Sequence, residues 1–149
     1  MAYVPRLVRK KLGEILAEAG FIKEEQLQAA LQMQQKNGKP LGEILVEINL
    51  VKEEDIAYAL SRQYGLPYIE ASKYVIQGDC KNAIPPKQQL EGRFVVLDKI
   101  GQFIIIAIAG VIDTDLLQQL EQKSNSVVFI YVSTQSQVLA ALKKYYGMG

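Results

Sequence analysis

A segment of 24 residues occurs twice in the first half of this chain, and no other feature of the sequence restricts the fold as strongly. Residues 11–34 read KLGEILAEAGFIKEEQLQAALQMQ, and residues 40–63 read PLGEILVEINLVKEEDIAYALSRQ. The two segments align without gaps, are identical at 12 of 24 positions, and are joined by the five-residue spacer QKNGK. This repetition predicts two copies of one supersecondary unit that bury their apolar faces against each other.

Each copy is expected to form two short helices joined by a left-handed turn. In the first copy a helical apolar stripe runs up to Gly20, which stands where a left-handed residue ends a helix. The next helix is predicted to begin near Lys23, with two glutamates in its first turn, and to end before Asn37-Gly38. In the second copy Asn49 replaces Gly20, and asparagine is the next best residue for a left-handed turn.

The second half of the chain has a different hydrophobic pattern. It predicts a short helix opening at Ile84-Pro85-Pro86, strands at 94–100 and 102–109 joined at Gly101, a helix at 113–124, a strand at 127–132 and a helix at 134–146. Residues 71–83 carry no readable pattern. The prediction is an α+β protein: a duplicated subdomain of four short helices, residues 1–66, precedes a small α/β subdomain, residues 67–149, with a β-hairpin, a crossover helix, a strand and a C-terminal helix.

The composition removes several classes of function. The 149 residues carry 17 Lys and Arg against 16 Asp and Glu, a formal charge of +1, so the strong positive field of a nucleic-acid-binding protein is missing. There is no histidine, which excludes histidine-based catalytic triads and histidine-ligated metal sites. The one cysteine, Cys80, is interpreted as a small apolar filler or a surface thiol. We therefore expect no nucleic-acid partner and no metal.

No segment is expected to insert into a membrane. The longest apolar stretch, residues 103–112, is about half of the ~20 residues that a spanning helix requires. The first residues, MAYVPRLVRKK, are charged but lack the apolar run of a secretory signal. Together with the single cysteine, which fits a reducing compartment, these features predict a soluble cytoplasmic protein.

Catalytic machinery is not expected either. The phosphate-binding loop pattern G-x-x-x-x-G-K-[ST] does not occur, and Gly38-Lys39-Pro40 does not supply it. Eight glutamates of the two copies fall mostly on polar helix faces, where they are interpreted as solvating charges and helix-end electrostatics. They are Glu14, Glu18, Glu24, Glu25, Glu43, Glu47, Glu53 and Glu54. The chain is predicted not to be an enzyme.

Gln34 and Gln63 occupy equivalent positions on the leucine-bearing faces of their helices. A primary amide on a buried face must find partners for two donors and one acceptor. In one interpretation each amide binds backbone groups at a neighbouring helix end. In the other, the amide faces a polar ligand that is held against the leucines.

Basic residues precede the first helix of each copy. Arg9, Lys10 and Lys11 come before the first copy, and Lys39 comes before the second. Because positive charge at a helix N-terminus opposes the macrodipole, open N–H groups, a glycine and a lysine together describe a phosphate site. The alternative is a continuous amphipathic helix from Pro5, with the charges solvated. The duplication itself fits a ligand or partner with two-fold symmetry, or only a repeated structural unit.

The paired segments LGEILxExxxxxKEExxxxALxxQ resemble the duplicated motif of MshEN-type domains, the N-terminal domains of type II secretion and type IV pilus assembly ATPases. The second half is similar too, with Ile84-Pro85, the hairpin into FIIIAIAG, Asp113 and a last helix ending in Tyr145-Tyr146-Gly147. The resemblance covers nearly the whole chain. It implies docking to a protein of the secretion or pilus machinery at the inner membrane face, with an ATPase module in cis or in trans. In a subset of the family it implies binding of cyclic di-GMP along the two motifs, and it implies no cofactor.

Members of the family that bind cyclic di-GMP usually begin each motif with Arg-Leu-Gly, whereas Lys11 and Pro40 stand at these arginine positions. Lysine lacks the planar fork of arginine, and proline can neither stack on guanine nor clamp a phosphate. After the FIIIAIA strand, Gly110-Val111 stands where the family often has Asp-Pro. The candidate ligand-binding residues that the resemblance implies are Lys11, Leu12, Gly13, Leu27, Leu31, Gln34, Leu41, Gly42, Ile56, Leu60 and Gln63.

The sequence therefore predicts a non-catalytic regulatory or docking domain that acts through protein contact, with cyclic di-GMP sensing as the alternative. A sensor must bind its ligand with different affinities in two conformations, since otherwise the ligand shifts nothing. Gln28 is expected on the outer face of its helix, away from any such ligand.

Overall fold

The structure is a computed structural model, and it describes residues 11–80, 82–111 and 114–148. Within these ranges the chain forms seven α-helices and one three-stranded sheet, which confirms the predicted α+β class. The helices are α1 (Leu12–Glu18), α2 (Glu24–Asn37), α3 (Leu41–Glu47), α4 (Glu53–Tyr64), α5 (Pro86–Glu91), α6 (Thr114–Ser124) and α7 (Gln135–Tyr146). The strands are β1 (Phe94–Ile100), β2 (Phe103–Ile108) and β3 (Val127–Val132).

The two sequence copies adopt the same conformation. Helices α1 and α3 each span 7 residues, and each is followed by a left-handed residue, Gly20 with φ of 83° and Asn49 with φ of 60°. Helices α2 and α4 also end at left-handed glycines, Gly38 and Gly65. The predicted turn at Asn49 is confirmed, while α2 extends one residue further than predicted, through Asn37.

The two copies pack against each other through their glycines. A Cβ atom on Gly13 would lie 2.5 Å from Cδ1 of Leu27, in the same copy, and 3.3 Å from Cδ2 of Leu41, in the other. The equivalent contacts in the second copy are those that a Cβ on Gly42 would make with Cδ1 of Ile56 at 3.4 Å and with Cδ2 of Leu12 at 3.2 Å. Each glycine therefore receives a leucine from the opposite copy, and the contact is reciprocal.

The second half builds the sheet, in the order β1-β2-β3. Strands β1 and β2 form the predicted antiparallel hairpin, which turns at Gly101 with φ of 59°. Strands β2 and β3 pair in parallel, as the predicted crossover through α6 requires. Helix α6 is described from Thr114 onward, and the predicted first residue, Asp113, lies outside the described residues.

Residues 71–80, which carried no readable pattern, form two 3₁₀ turns, Ala71–Lys73 and Gly78–Cys80. Side chains from the far end of the chain hold the first of them. The backbone N–H of Ala71 donates to Oγ of Ser133 at 3.3 Å, and that of Ser72 donates to Oε1 of Gln137 at 3.0 Å. Because these bonds are long-range in sequence, no local periodicity marks the segment.

The hydrophobic core draws on both halves of the chain. Leu16, Leu45 and Leu60 of the helical copies and Leu97 of β1 are all fully buried, and Cys80 is buried with them. The division into subdomains at residue 66 stays a prediction. Among the described residues, no helix combines the length and the apolar character that crossing a bilayer would require.

Helix α7 is fixed at both of its ends. At its start, Oγ1 of Thr134 accepts a hydrogen bond from the backbone N–H of Gln137 at 3.2 Å. Near its end, the hydroxyl of Tyr146 donates to the carbonyl oxygen of Val96 in β1 at 3.0 Å. The backbone N–H of Val96 donates to Oε1 of the fully buried Gln89 side chain at 2.8 Å. These two hydrogen bonds of Val96 join α5, β1 and α7 inside the core.

Replacing Asn49 tests the left-handed turn of the second copy. Asn49→Ala should lower the free energy of unfolding by about 1 kcal/mol, because a Cβ without a polar group disfavours positive φ. Asn49→Gly should leave it within about 0.5 kcal/mol of the parent, since glycine accepts this conformation freely. Urea denaturation of both variants measures the difference. Equal losses would mean that the backbone at this position does not need a left-handed residue.

The Tyr74 hydroxyl predicts a loss of stability at high pH. It donates to Oδ2 of Asp98 at 2.7 Å, and this hydrogen bond raises the pKa of Tyr74 from 10.0 to about 12. Since the folded state holds the proton more tightly, the stabilisation is complete below pH 10 and is lost as the pH rises towards 12. Denaturation at a series of pH values should show a shallower decline for Tyr74→Phe than for the parent. Identical slopes would exclude a role for this bond.

Candidate functional site

Seven of the eleven predicted ligand-binding residues line one cleft on the surface of the first copy. They are Lys11, Leu12, Gly13, Leu27, Leu31, Gln34 and Leu41. Glu14, Glu24, Gln28 and Val111 complete the lining, and the cleft has a volume of about 580 Å³. We call this space the open cleft. Its floor is apolar because leucines of both copies pack closely on Gly13, whose lack of a side chain lets them approach the backbone.

The remaining four predicted residues lie elsewhere. Gly42 and Ile56 line a second, smaller cleft of about 280 Å³ on the second copy, together with residues that precede and begin α7. Gln63 lies beside Tyr58 in a third depression, and Leu60 is fully buried in the core. The structure therefore does not bring all eleven into one site. Ser133, Thr134 and Gln135 of the second half border the cleft of the second copy, which is smaller than the cleft of the first.

The geometry of Gln34 matches one of the two interpretations of the paired glutamines. Its Nε2 atom donates to the carbonyl oxygen of Lys39 at 3.2 Å, immediately before α3 begins. The amide thus forms a hydrogen bond with a backbone carbonyl at the start of the next helix, while the side chain also lines the open cleft.

The basic residues that precede the helices have different surroundings. Lys11 has an extended backbone with φ of −74° and ψ of 152°, so α1 begins at Leu12 and does not continue through Lys11 from an earlier helix. Arg9 and Lys10 lie outside the described residues. The Nζ atom of Lys39 pairs with Oε1 of Glu47 at 2.9 Å, so this charge is already matched by a carboxylate.

The described residues that line the open cleft carry more negative than positive charge. Among them Lys11 is the one cation, and Glu14 and Glu24 are anions. Oε1 of Glu24 accepts a hydrogen bond from Nε2 of Gln28 at 2.9 Å. Across the described residues no group of three or more His, Cys, Asp or Glu could hold a metal ion.

The predicted position of Gln28 is wrong. This residue lines the open cleft instead of facing away from it. The reason is geometric, because side chains on a helix lean towards its N-terminus and cover the preceding turn. Gln28 therefore reaches back to Glu24, at the rim of the cleft.

Two of the eight glutamates are not solvating charges, which corrects their interpretation from the sequence. Oε1 of Glu43 accepts hydrogen bonds from Nη2 of Arg93, at 2.9 Å, and from Nε2 of Gln135. Oε1 of Glu53 accepts from the backbone N–H and the hydroxyl of Ser136, at 2.9 and 2.8 Å. These carboxylates attach the second half of the chain to the second copy, at the N-terminus of α7.

Sequence reasoning missed Arg93, Gln135 and Ser136. Arg93 is 50 positions from Glu43, and Ser136 is 83 positions from Glu53, so no local spacing connects them. The available signal was weak: four glutamates occur at equivalent positions in both copies, Glu43 and Glu53 among them, and a serine stands in the first turn of a predicted helix.

Comparison with known proteins places the second half of the chain in a described family. The pattern of the family named MshEN domain matches residues 64–149. The chain is 32% identical, over 92% of its length, to the type IV pilus assembly ATPase PilB of Thermus thermophilus, and 26% identical, over 91%, to the PilB of Myxococcus xanthus. It spans only 16% and 24% of the lengths of these two relatives.

Solved structures share the fold over nearly the whole chain. A structure of MshE with cdg superposes with a TM-score of 0.72 and 26% identity, covering 93% of this chain and 100% of that one. The N-terminal domain of XpsE superposes with a TM-score of 0.68, at 17% identity, covering 93% of this chain and 94% of that one. At 17% identity, the similarity to the N-terminal domain of XpsE shows a shared fold alone.

The unequal roles of Glu43 and Glu14 can be tested with one pair of variants. Glu43→Ala should lower the free energy of unfolding by about 1–3 kcal/mol, because it leaves the half-buried Arg93 without its carboxylate. Glu14→Ala, at the equivalent position of the first copy, should change it by less than about 0.5 kcal/mol, since Glu14 is exposed. Urea denaturation measures both. Equal effects would contradict the assignment.

Proposed function

The chain belongs to the MshEN domain family, and we propose that it acts as a non-catalytic docking domain of a type IV pilus assembly or type II secretion ATPase. In this proposal it contacts a protein of the machinery at the cytoplasmic face of the inner membrane. The ATPase module that it serves is joined to it in cis or bound in trans.

The observation that carries this proposal is the match to two pilus assembly ATPases. More than nine-tenths of this chain aligns with a small fraction of each of them, 16% and 24%. A chain of this size that corresponds to one part of a larger motor protein supports a role in positioning or regulating the motor. The sequence contains no phosphate-binding loop, so in this proposal hydrolysis belongs to other parts of the assembly.

Binding of cyclic di-GMP is the second candidate function. It is favoured by the similarity to the structure of MshE with cdg, and by the convergence of seven motif residues on the open cleft. The cleft volume of about 580 Å³ lies within the range of small-ligand sites. The charge of the described lining residues opposes this candidate, because Glu14 and Glu24 would repel the two phosphates and Lys11 is the one cation among these residues.

Direct titration tests the docking function. The purified chain is immobilised and titrated with purified cytoplasmic fragments of the inner-membrane proteins of the pilus or secretion system from the same organism. We expect at least one fragment to bind with a Kd below about 10 μM, the range of specific transient contacts. Fragments from the second system serve as controls. If no fragment binds at 100 μM, on the order of tenfold above that limit, the docking function is excluded.

Titration calorimetry tests the cyclic di-GMP candidate. If heat of binding appears at or below ~100 μM ligand, Lys11→Ala should weaken the affinity by about tenfold or more, because a charge-assisted contact to phosphate is lost. Lys36→Ala is the matched control: it removes the same charge from an exposed position of α2 that does not line the open cleft. Absence of heat removes this candidate. Equal affinities of the two variants would place the ligand elsewhere.

A further inference from the structure

In the second copy Glu43 and Glu53 form a binding site for the N-terminus of α7, which we call a seat, beside the cleft that Gly42 and Ile56 line. Both oxygens of Glu53 accept hydrogen bonds from Ser136 in the first turn of α7. Glu43 binds Gln135 of the same turn and the guanidinium group of Arg93. Two carboxylates thus hold a helix N-terminus and an arginine, and both interactions are electrostatically favourable.

The first copy carries the equivalent carboxylates at the open cleft. Four positions of the two seats and of the clefts beside them correspond one to one in the repeated sequence. They are Glu14 with Glu43, Glu24 with Glu53, Gly13 with Gly42, and Leu27 with Ile56. The backbone is also equivalent. Helices α1 and α3 have the same length, and α2 and α4 begin at Glu24 and Glu53, respectively.

The clefts of the two copies are close to each other in the fold. Ala109, immediately after β2, lines the smaller cleft of the second copy, and Val111, two residues later, lines the open cleft. Val111 is 42% exposed there, beside the leucine floor. The open cleft therefore lies near the site at which the second copy binds α7.

We infer that the open cleft is the seat for a helix N-terminus of a partner protein, with a hydroxyl-bearing residue in the first turn of that helix and an arginine beside it. Glu24 would accept from the first-turn N–H and hydroxyl groups, as Glu53 does from Ser136. Glu14 would pair with the arginine, as Glu43 does with Arg93. This inference rests on the proposed docking function and names the chemistry of its contact.

The charges of the described residues that line the cleft favour this occupant over an anionic one. Glu14 and Glu24 are exposed and flank the floor, and Lys11 lies at the start of α1. A helix N-terminus and an arginine both bring positive charge towards the carboxylates, whereas a phosphate would have to overcome them.

The test compares the parent chain with two double variants in the fragment titration described above. Glu14→Gln/Glu24→Gln removes both charges of the open cleft while preserving side-chain shape. Glu25→Gln/Glu54→Gln removes the same number of charges from exposed positions that do not line it. Thermal melting monitored by circular dichroism should be the same for all three proteins. We expect the first variant to bind the fragment at least about tenfold more weakly and the second to bind like the parent.

Each outcome distinguishes this inference from the proposed function. Equal binding of the fragment by all three proteins overturns the seat and leaves the docking function standing. Failure of all three to bind any fragment overturns both. A dimer of the parent chain that the first variant loses in sedimentation would assign the cleft to a second copy of this chain, and would overturn a separate partner.

Reversing the charges separates a cationic occupant from an anionic one. Glu14→Lys/Glu24→Lys should abolish fragment binding, because the cleft would then repel an arginine and a helix N-terminus. Tighter binding of the fragment, or fragment binding by the parent that cyclic di-GMP displaces in competition, would show that an anion belongs in the cleft and would overturn the inference.

Discussion

The reciprocal contact between glycine and leucine at the junction of the two copies determines the rest of this structure. Gly13 admits Leu41, and Gly42 admits Leu12, so each copy completes the packing of the other. No side chain larger than hydrogen fits at Gly13 without displacing Leu27, whose Cδ1 would stand 2.5 Å from a new Cβ. One copy alone would lose the contact of Leu12 or Leu41 with the opposite glycine, so each copy contributes to the stability of the other.

The two equivalent pairs of carboxylates have different surroundings in the two copies. In the second copy Glu43 and Glu53 are covered by the second half of the chain. In the first copy Glu14 and Glu24 are exposed at the rim of a cleft with an apolar floor. Two equal units with unequal surroundings give an asymmetric protein, in which one face is used for internal attachment and its counterpart stays accessible.

The sequence was sufficient for most of the fold but for only part of the site. Helices and strands followed from hydrophobic periodicity, and the left-handed turn at Asn49 followed from the alignment with Gly20. The 3₁₀ turn at Ala71 did not, because Ser133 and Gln137 determine it from a distance. The ion pair between Glu43 and Arg93 could not be predicted for the same reason, because the two residues are 50 positions apart. Repetition reveals which residues are equivalent, and only tertiary packing decides which of them are covered.

Helix α7 has a mechanical consequence. Its first turn is bonded to Glu53 of the second copy, and Tyr146 in its last turn is bonded to Val96 in the sheet. Its 12 residues make a rod of about 18 Å. Since both ends are bonded, a movement of α7 along its axis would strain a hydrogen bond at one of them. The helix therefore connects the second copy to the buried Val96 of β1.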